Sequence, residues 1–237
     1  MSASVSTVHT GAPAPACSPA GRLTRSLLGY GVIAGPFYVA VVLVQALLRP
    51  GFDLGRDDVS LLSNGSLGWI QIGNFLITGL MVIACAVGIR RALVGGRGAT
   101  WGPLLLSVYG IGLIGAGLFT ADPMNGFPAG APAGRPDVIT VHGMLHIAAA
   151  GIGFLCFVAA CFVFARRFAG LHRRGWTAFS LVTGVVFLAA FAGVASGSGS
   201  PAVVIAFWFA LLVAWAWLAA LAVHLYRRVP SADGASA

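Results

Sequence analysis

His142 and His146 stand four residues apart at the head of one apolar run, and Gln71 and Asn74 stand three apart near the head of another. At helical spacing each pair shares a face. Ionisable groups inside an apolar span are costly and default to a functional hypothesis. A histidine pair at i, i+4 can give a metal two ligands, with Asp58 or Asp122 as a third. The plainer reading is that each imidazole hydrogen-bonds a neighbouring helix. No HExxH or other metal signature is present, so no metal is expected. Amides facing lipid would leave donors unsatisfied, so Gln71 and Asn74 are expected to point inward. There they either meet backbone loosened near Pro36 or line a cavity with His146.

Three carboxylates lie beside these runs. Asp57 with Ser60 reads as a helix cap, and Asp122-Pro123 as a turn starter. Against an apolar pocket, Asp58 or Asp122 would instead have a raised pKa and serve as a general acid. No GxSxG, phosphate loop or dinucleotide fingerprint accompanies them. No axial pair for haem forms near His146, because the other histidine in a span, His224, belongs to the opposite face. No cofactor is implied.

These groups need a frame, and composition supplies it. The chain of 237 residues is 58% hydrophobic and 8% charged, against roughly 25% charged in a soluble domain. Its apolar residues fall into blocks of about 20, the length that crosses a bilayer. An all-α, polytopic helix bundle with six transmembrane helices is expected, over about 26–48, 67–89, 101–120, 141–165, 176–195 and 202–226. Residues 1–21 and 229–237, small and polar, read as disordered tails around a membrane domain at 22–228. The GIGLIGAG run at 110–117 allows close helix approach. The Pro-rich loop at about 121–140 is long enough to be functional or mobile. The cysteines Cys17, Cys85, Cys156 and Cys161 match neither a disulfide framework nor a zinc site and read as small apolar fillers.

All basic side chains are Arg and all acidic ones Asp. Six spans put both termini on one side, which collects all the arginines except Arg49, Arg56 and Arg135. The positive-inside rule then makes the termini cytoplasmic, in the plasma membrane, with the candidate residues outside. The net charge of +8 follows from span ends and does not point to nucleic acid.

Three segments carry a family resemblance. One is Asp57-Asp58-Val59-Ser60-Leu61-Leu62-Ser63-Asn64-Gly65 running into Gly68-Trp69-Ile70-Gln71 and Asn74-Phe75. The second is Phe119-Thr120-Ala121-Asp122-Pro123 followed by Gly126-Phe127-Pro128, and the third is Gly143-Met144-Leu145-His146. Together they resemble the bacterial membrane family catalogued as domain of unknown function 998, over nearly the whole chain from first span to sixth. The resemblance implies a multi-pass protein with a polar cluster at the outer ends of the second to fourth helices. It brings no activity, and it marks Ser60, Asn64, Asp122 and His146 as residues that matter.

The candidate ligand-binding set is Asp58, Ser60, Asn64, Gln71, Asn74, Asp122, His142 and His146. Apolar walls with a few convergent polar groups suit a pocket that binds or moves a lipid-like or small amphiphilic molecule. A second reading is an intramembrane enzyme acting on an isoprenoid or lipid by Asp/His acid–base chemistry. A third is a structural or regulatory subunit whose small-residue faces pack on another membrane protein. Membrane lipids are the expected surroundings in each case.

Overall fold

The computed structural model describes residues 19–93, 95–96 and 98–230. Cys17, Arg97 and most of the two tails lie outside the described residues. Six helices follow in order: α1 (Pro19–Leu48), α2 (Gly68–Ala92), α3 (Trp101–Leu118), α4 (Val141–Gly170), α5 (Arg174–Ala195) and α6 (Pro201–Tyr226). A 3-10 turn at Val59–Ser63 interrupts the first loop. All six helices are long and apolar enough to cross a membrane. Among the described residues there is no strand beyond an isolated bridge between Met124 and Phe127. The protein is a multi-pass membrane helix bundle, as its apolar blocks predict.

The helices run past those blocks at the arginine-rich end. α1 is already helical at Pro19, inside the stretch read as tail, α2 continues beyond Arg90 and Arg91, and α4 beyond Arg166 and Arg167. Arginine stems lie along apolar surface while their heads reach water, so charge ends an apolar block without ending a helix. Arg91 donates to Thr24 Oγ1 at 3.1 Å and to the Ala20 carbonyl at 3.4 Å, fixing the first turns of α1 against α2.

Each helix packs on its predecessor and α1 closes on α6, so chain order is also ring order. The glycines of α3 set two of these contacts. A β-carbon at Gly110 would lie 2.7 Å from the Gly79 carbonyl of α2, and one at Gly112 would lie 2.8 Å from Gly153 Cα of α4. On α1, a β-carbon at Gly35 would meet Trp215 of α6 at 2.7 Å. Bare backbone at these crossings lets the helices touch main chain to main chain. Cys85 and Cys161 are buried, Cys156 is half-buried and all three are free thiols, the filler role read from the sequence.

Candidate functional site

The loops at the end opposite the termini fold into a lid. Asp57 is 0% exposed, and a buried carboxylate must be fully bonded to be tolerated. Arg56 grips it with Nε at 3.0 Å and Nη2 at 2.9 Å, the Asp53 amide donates at 2.9 Å, and Asn125 Nδ2 donates from the second loop at 3.3 Å. Asp57 is thus the loop's internal anchor and not a helix cap. The residue that precedes the 3-10 turn is Asp58, whose side chain makes no capping bond.

Arg49 pins the same lid. It is buried, donates to the carbonyls of Leu62 and Asn64, and lies 4.7 Å over the ring of Phe127. Phe127 is itself 1% exposed and meets Phe52 edge-on at 5.2 Å. The Pro-rich loop is therefore held down from its middle. Sequence reading took Arg49 for a loop cation, because nothing in its spacing shows that the chain turns back over it.

Asp122 works at the head of α4. Its Oδ2 accepts from the Thr140 amide at 2.9 Å and its Oδ1 from the Thr140 hydroxyl at 2.6 Å. That hydroxyl in turn accepts from the Gly143 amide at 3.0 Å, the capping bond of α4. A carboxylate beside a helix N-terminus also meets the positive end of its dipole. Asp122 is thereby committed to positioning α4, a stronger role than turn starter.

His146, one turn further on, is 6% exposed. Its Nδ1 lies 3.0 Å from the Ala116 carbonyl and 2.8 Å from that of Phe119. These are carbonyls at the end of α3 that have no helical partner of their own. Both can only accept, so Nδ1 carries the proton. The plain reading of His146 as an interhelical hydrogen-bonder holds for one nitrogen. The other, Nε2, has no protein partner among the described residues.

Below the lid is a cavity of about 450 Å³, within the usual range for ligand sites. Asp58, Ser60, Asp122, Arg135 and His146 line its upper part. Asp58 Oδ1 is buried without a partner. Burial pushes the Asp58 carboxyl above the ordinary range, the charge of Arg135 opposes that rise, Asp57 adds to it and His146 opposes it. The floor is aromatic. Trp215 lies 5.3 Å from Tyr38 and 6.1 Å from Tyr109, ring to ring, and Phe154 lies 5.3 Å from Phe191 and 5.6 Å from Phe207. Neither tyrosine hydroxyl bonds to another described residue, although both residues are buried and line the cavity.

One wall is incomplete. Ile139 and Ile147 line the cavity while 50% and 60% exposed, and Ala195 opposite them is exposed as well. The cavity therefore opens sideways, between the loop ends of α4 and α5. Its lining reaches Phe154 on α4, about 20 Å below the helix start at Val141.

The expected site is only partly assembled here. Asp58, Ser60, Asp122 and His146 meet on the cavity; Gln71, Asn74, Asn64 and His142 do not. Gln71 and Asn74 turn toward α1: Gln45 Nε2 donates to Gln71 Oε1 at 2.9 Å, and Asn74 Nδ2 donates to the Tyr38 carbonyl at 3.2 Å. Their inward direction is as expected, and of their two expected destinations it is the α1 side they take. Asn64 serves through its backbone carbonyl, while its buried Nδ2 has no partner. His142 is exposed and rests against Phe119 at 5.8 Å, so the two histidines do not share a site. Among the described residues no three His, Cys or Asp side chains group for a metal. The sequence reading missed Arg135, Tyr38, Tyr109 and Trp215, of which only Arg135, as a lone cation in the Pro-rich loop, carried a signal.

No curated protein and no solved structure matches the chain. A family model described as protein of unknown function (DUF998) matches residues 32–224, from within α1 to the end of α6. Both the lid and every cavity-lining residue fall inside that match. The chain belongs to the DUF998 family.

Proposed function

We propose that the protein binds one lipid-like or small amphiphilic molecule in this cavity, on the extracytoplasmic side of the plasma membrane, with both termini cytoplasmic. The observation that carries the reading is a cavity with apolar aromatic walls, unspent polar atoms at its upper end and a lateral opening. A molecule dissolved in the bilayer reaches such a site without crossing water. The arginine asymmetry supports the orientation. In this reading Asp58, Ser60 and His146 meet the polar group, and Asp122 holds α4 in place. The glycine faces of α3 are spent against α2 and α4, which leaves less for docking on another membrane protein.

The test is to purify the protein in mild detergent and identify retained small molecules by mass spectrometry, beside an Ala150→Phe variant. Ala150 lines the cavity, and a phenyl group there occupies it. One lipid class retained by the parent and depleted roughly tenfold in the variant supports the reading; equal retention by both refutes it.

A second reading, acid–base catalysis on a lipid or isoprenoid, is favoured by one observation: a carboxyl raised by burial and an imidazole nitrogen without a partner among the described residues share the cavity. Incubating the retained molecule with the parent and with Asp58→Asn tests it. Conversion by the parent alone would establish catalysis.

A further inference from the structure

The chemistry of the ligand's polar group is narrowed by His146. Its Nδ1 is committed as a donor to the carbonyls of Ala116 and Phe119. A neutral ring with its proton on Nδ1 presents at Nε2 a lone pair and no hydrogen. The side chain lies on the cavity, is almost wholly buried, and has no donor to that lone pair among the described residues. An acceptor facing the cavity is satisfied by whatever donates there, a water or the polar group of a ligand that displaces it.

Charge narrows the class further. Asp122 is consumed by Thr140, and Arg135, exposed at the mouth, lies in the field of Asp58. An anionic headgroup drawn under the lid would lose its water and meet the Asp58 carboxyl, and a cationic one would have to pass Arg135. The remaining lining is phenyl and small aliphatic groups with two deep polar groups, the Trp215 Nε1, buried without a partner, and the hydroxyl of Tyr109, a residue seven positions before Ala116 on α3. One water shared with Tyr38 can serve that hydroxyl.

We infer that the ligand is a neutral, membrane-soluble alcohol, its hydroxyl donating to His146 Nε2 and its hydrocarbon part lying among Phe154, Phe191 and Phe207. This rests on the proposal that the cavity is a binding site, and it adds the donor requirement. An ether, ketone or ester of the same shape cannot donate to Nε2, and a carboxylate must take up a proton to shed its charge before it enters. The sideways opening between α4 and α5 is the path such an alcohol would take from the bilayer.

The experiment uses the full-length protein in detergent with a diazirine-bearing long-chain alcohol, and maps photolabelled peptides by mass spectrometry. Competitors are farnesol, farnesyl methyl ether and farnesoic acid. The expected result is labelling on the loop ends of α4 and α5, with farnesol competing at least about tenfold more strongly than the ether or the acid. In His146→Ala the preference for alcohol over ether disappears. Because His146 also caps α3, that variant is read only if it still melts cooperatively, and otherwise the parent's alcohol-to-ether ratio decides. Equal competition by alcohol and ether, or strongest competition by the acid, overturns the alcohol assignment and leaves the binding cavity standing. Absence of labelling in the cavity overturns both.

Discussion

A β-carbon at Gly143 would stand 2.1 Å from Asp122 Oδ2. The carboxylate that holds Thr140 thus occupies the space a side chain would take, and the bareness of residue 143 is part of the cap. Gly143→Ala must push Asp122 off Thr140 and loosen the head of α4. The expected loss is about 1–3 kcal/mol, a fall in melting temperature on the order of 5 °C. Thermal unfolding in detergent measures it. Asp122→Asn, which keeps the shape and one acceptor oxygen, should fall less.

Asp58 gives the protein a pH dependence of defined sign. Its folded-state pKa is raised by burial, so the folded protein holds this proton more tightly than the unfolded chain. Its contribution to stability is full below the ordinary aspartate value of about 4 and is lost as pH rises through the raised folded value. Asp58→Asn removes the titration. The variant should be the more stable form at neutral pH, with the difference closing toward pH 4 (roughly the unfolded value). Paired melting curves across that window test the sign, and a variant less stable at neutral pH would contradict it.

The amide pair between α1 and α2 should behave as a unit. Gln45 and Gln71 share one hydrogen bond at 2.9 Å, while Gln45 Oε1 and Gln71 Nε2 are buried without partners. Replacing one amide by Met strands the other and is expected to cost about 1–3 kcal/mol. Replacing both leaves an apolar contact within about 1 kcal/mol of the parent, since Asn74 keeps the Tyr38 carbonyl. A double-mutant cycle on unfolding free energy gives the coupling.

Two glycines on neighbouring helices should answer oppositely. Gly110→Val drives a side chain into the α2 backbone at Gly79 and should cost about 1–3 kcal/mol or more. Gly73, with nothing within 4 Å of its built β-carbon, should accept Ala with no loss and a gain of up to about 1 kcal/mol. The same unfolding assay compares them.

The number of helices, their order along the chain and the glycine faces of α3 could be read from residue types, because bilayer thickness and helix period act locally on the sequence. What could not be read was which neighbour each face meets. Gln71 and Asn74 declared an inward face, but whether inward meant α1 or the cavity depends on how the ring closes. Arg49 and Leu62 are thirteen residues apart in an aperiodic loop, and their contact leaves no pattern. Tyr38, Tyr109 and Trp215 sat unremarked among other apolar residues, since an aromatic at a cavity floor and one in a packed core look alike in sequence. His146 was found because an ionisable group in a span is conspicuous wherever it points.

The buried residues of α5 are Ser180, Thr183, Gly184 and Phe187, and none follows Phe187. Ser180 is fastened to Trp217 at 3.0 Å, and a β-carbon at Gly184 would meet Phe162 at 2.9 Å. The arginine-end half of α5 is therefore bolted to its neighbours, while the half beside the cavity is held by partly buried side chains, Phe191 on Phe154 at 5.3 Å and Gly193 facing Val203. Against it stands α3, locked backbone to backbone on both flanks. The cavity thus lies between one wall joined main chain to main chain and another joined by side chains alone.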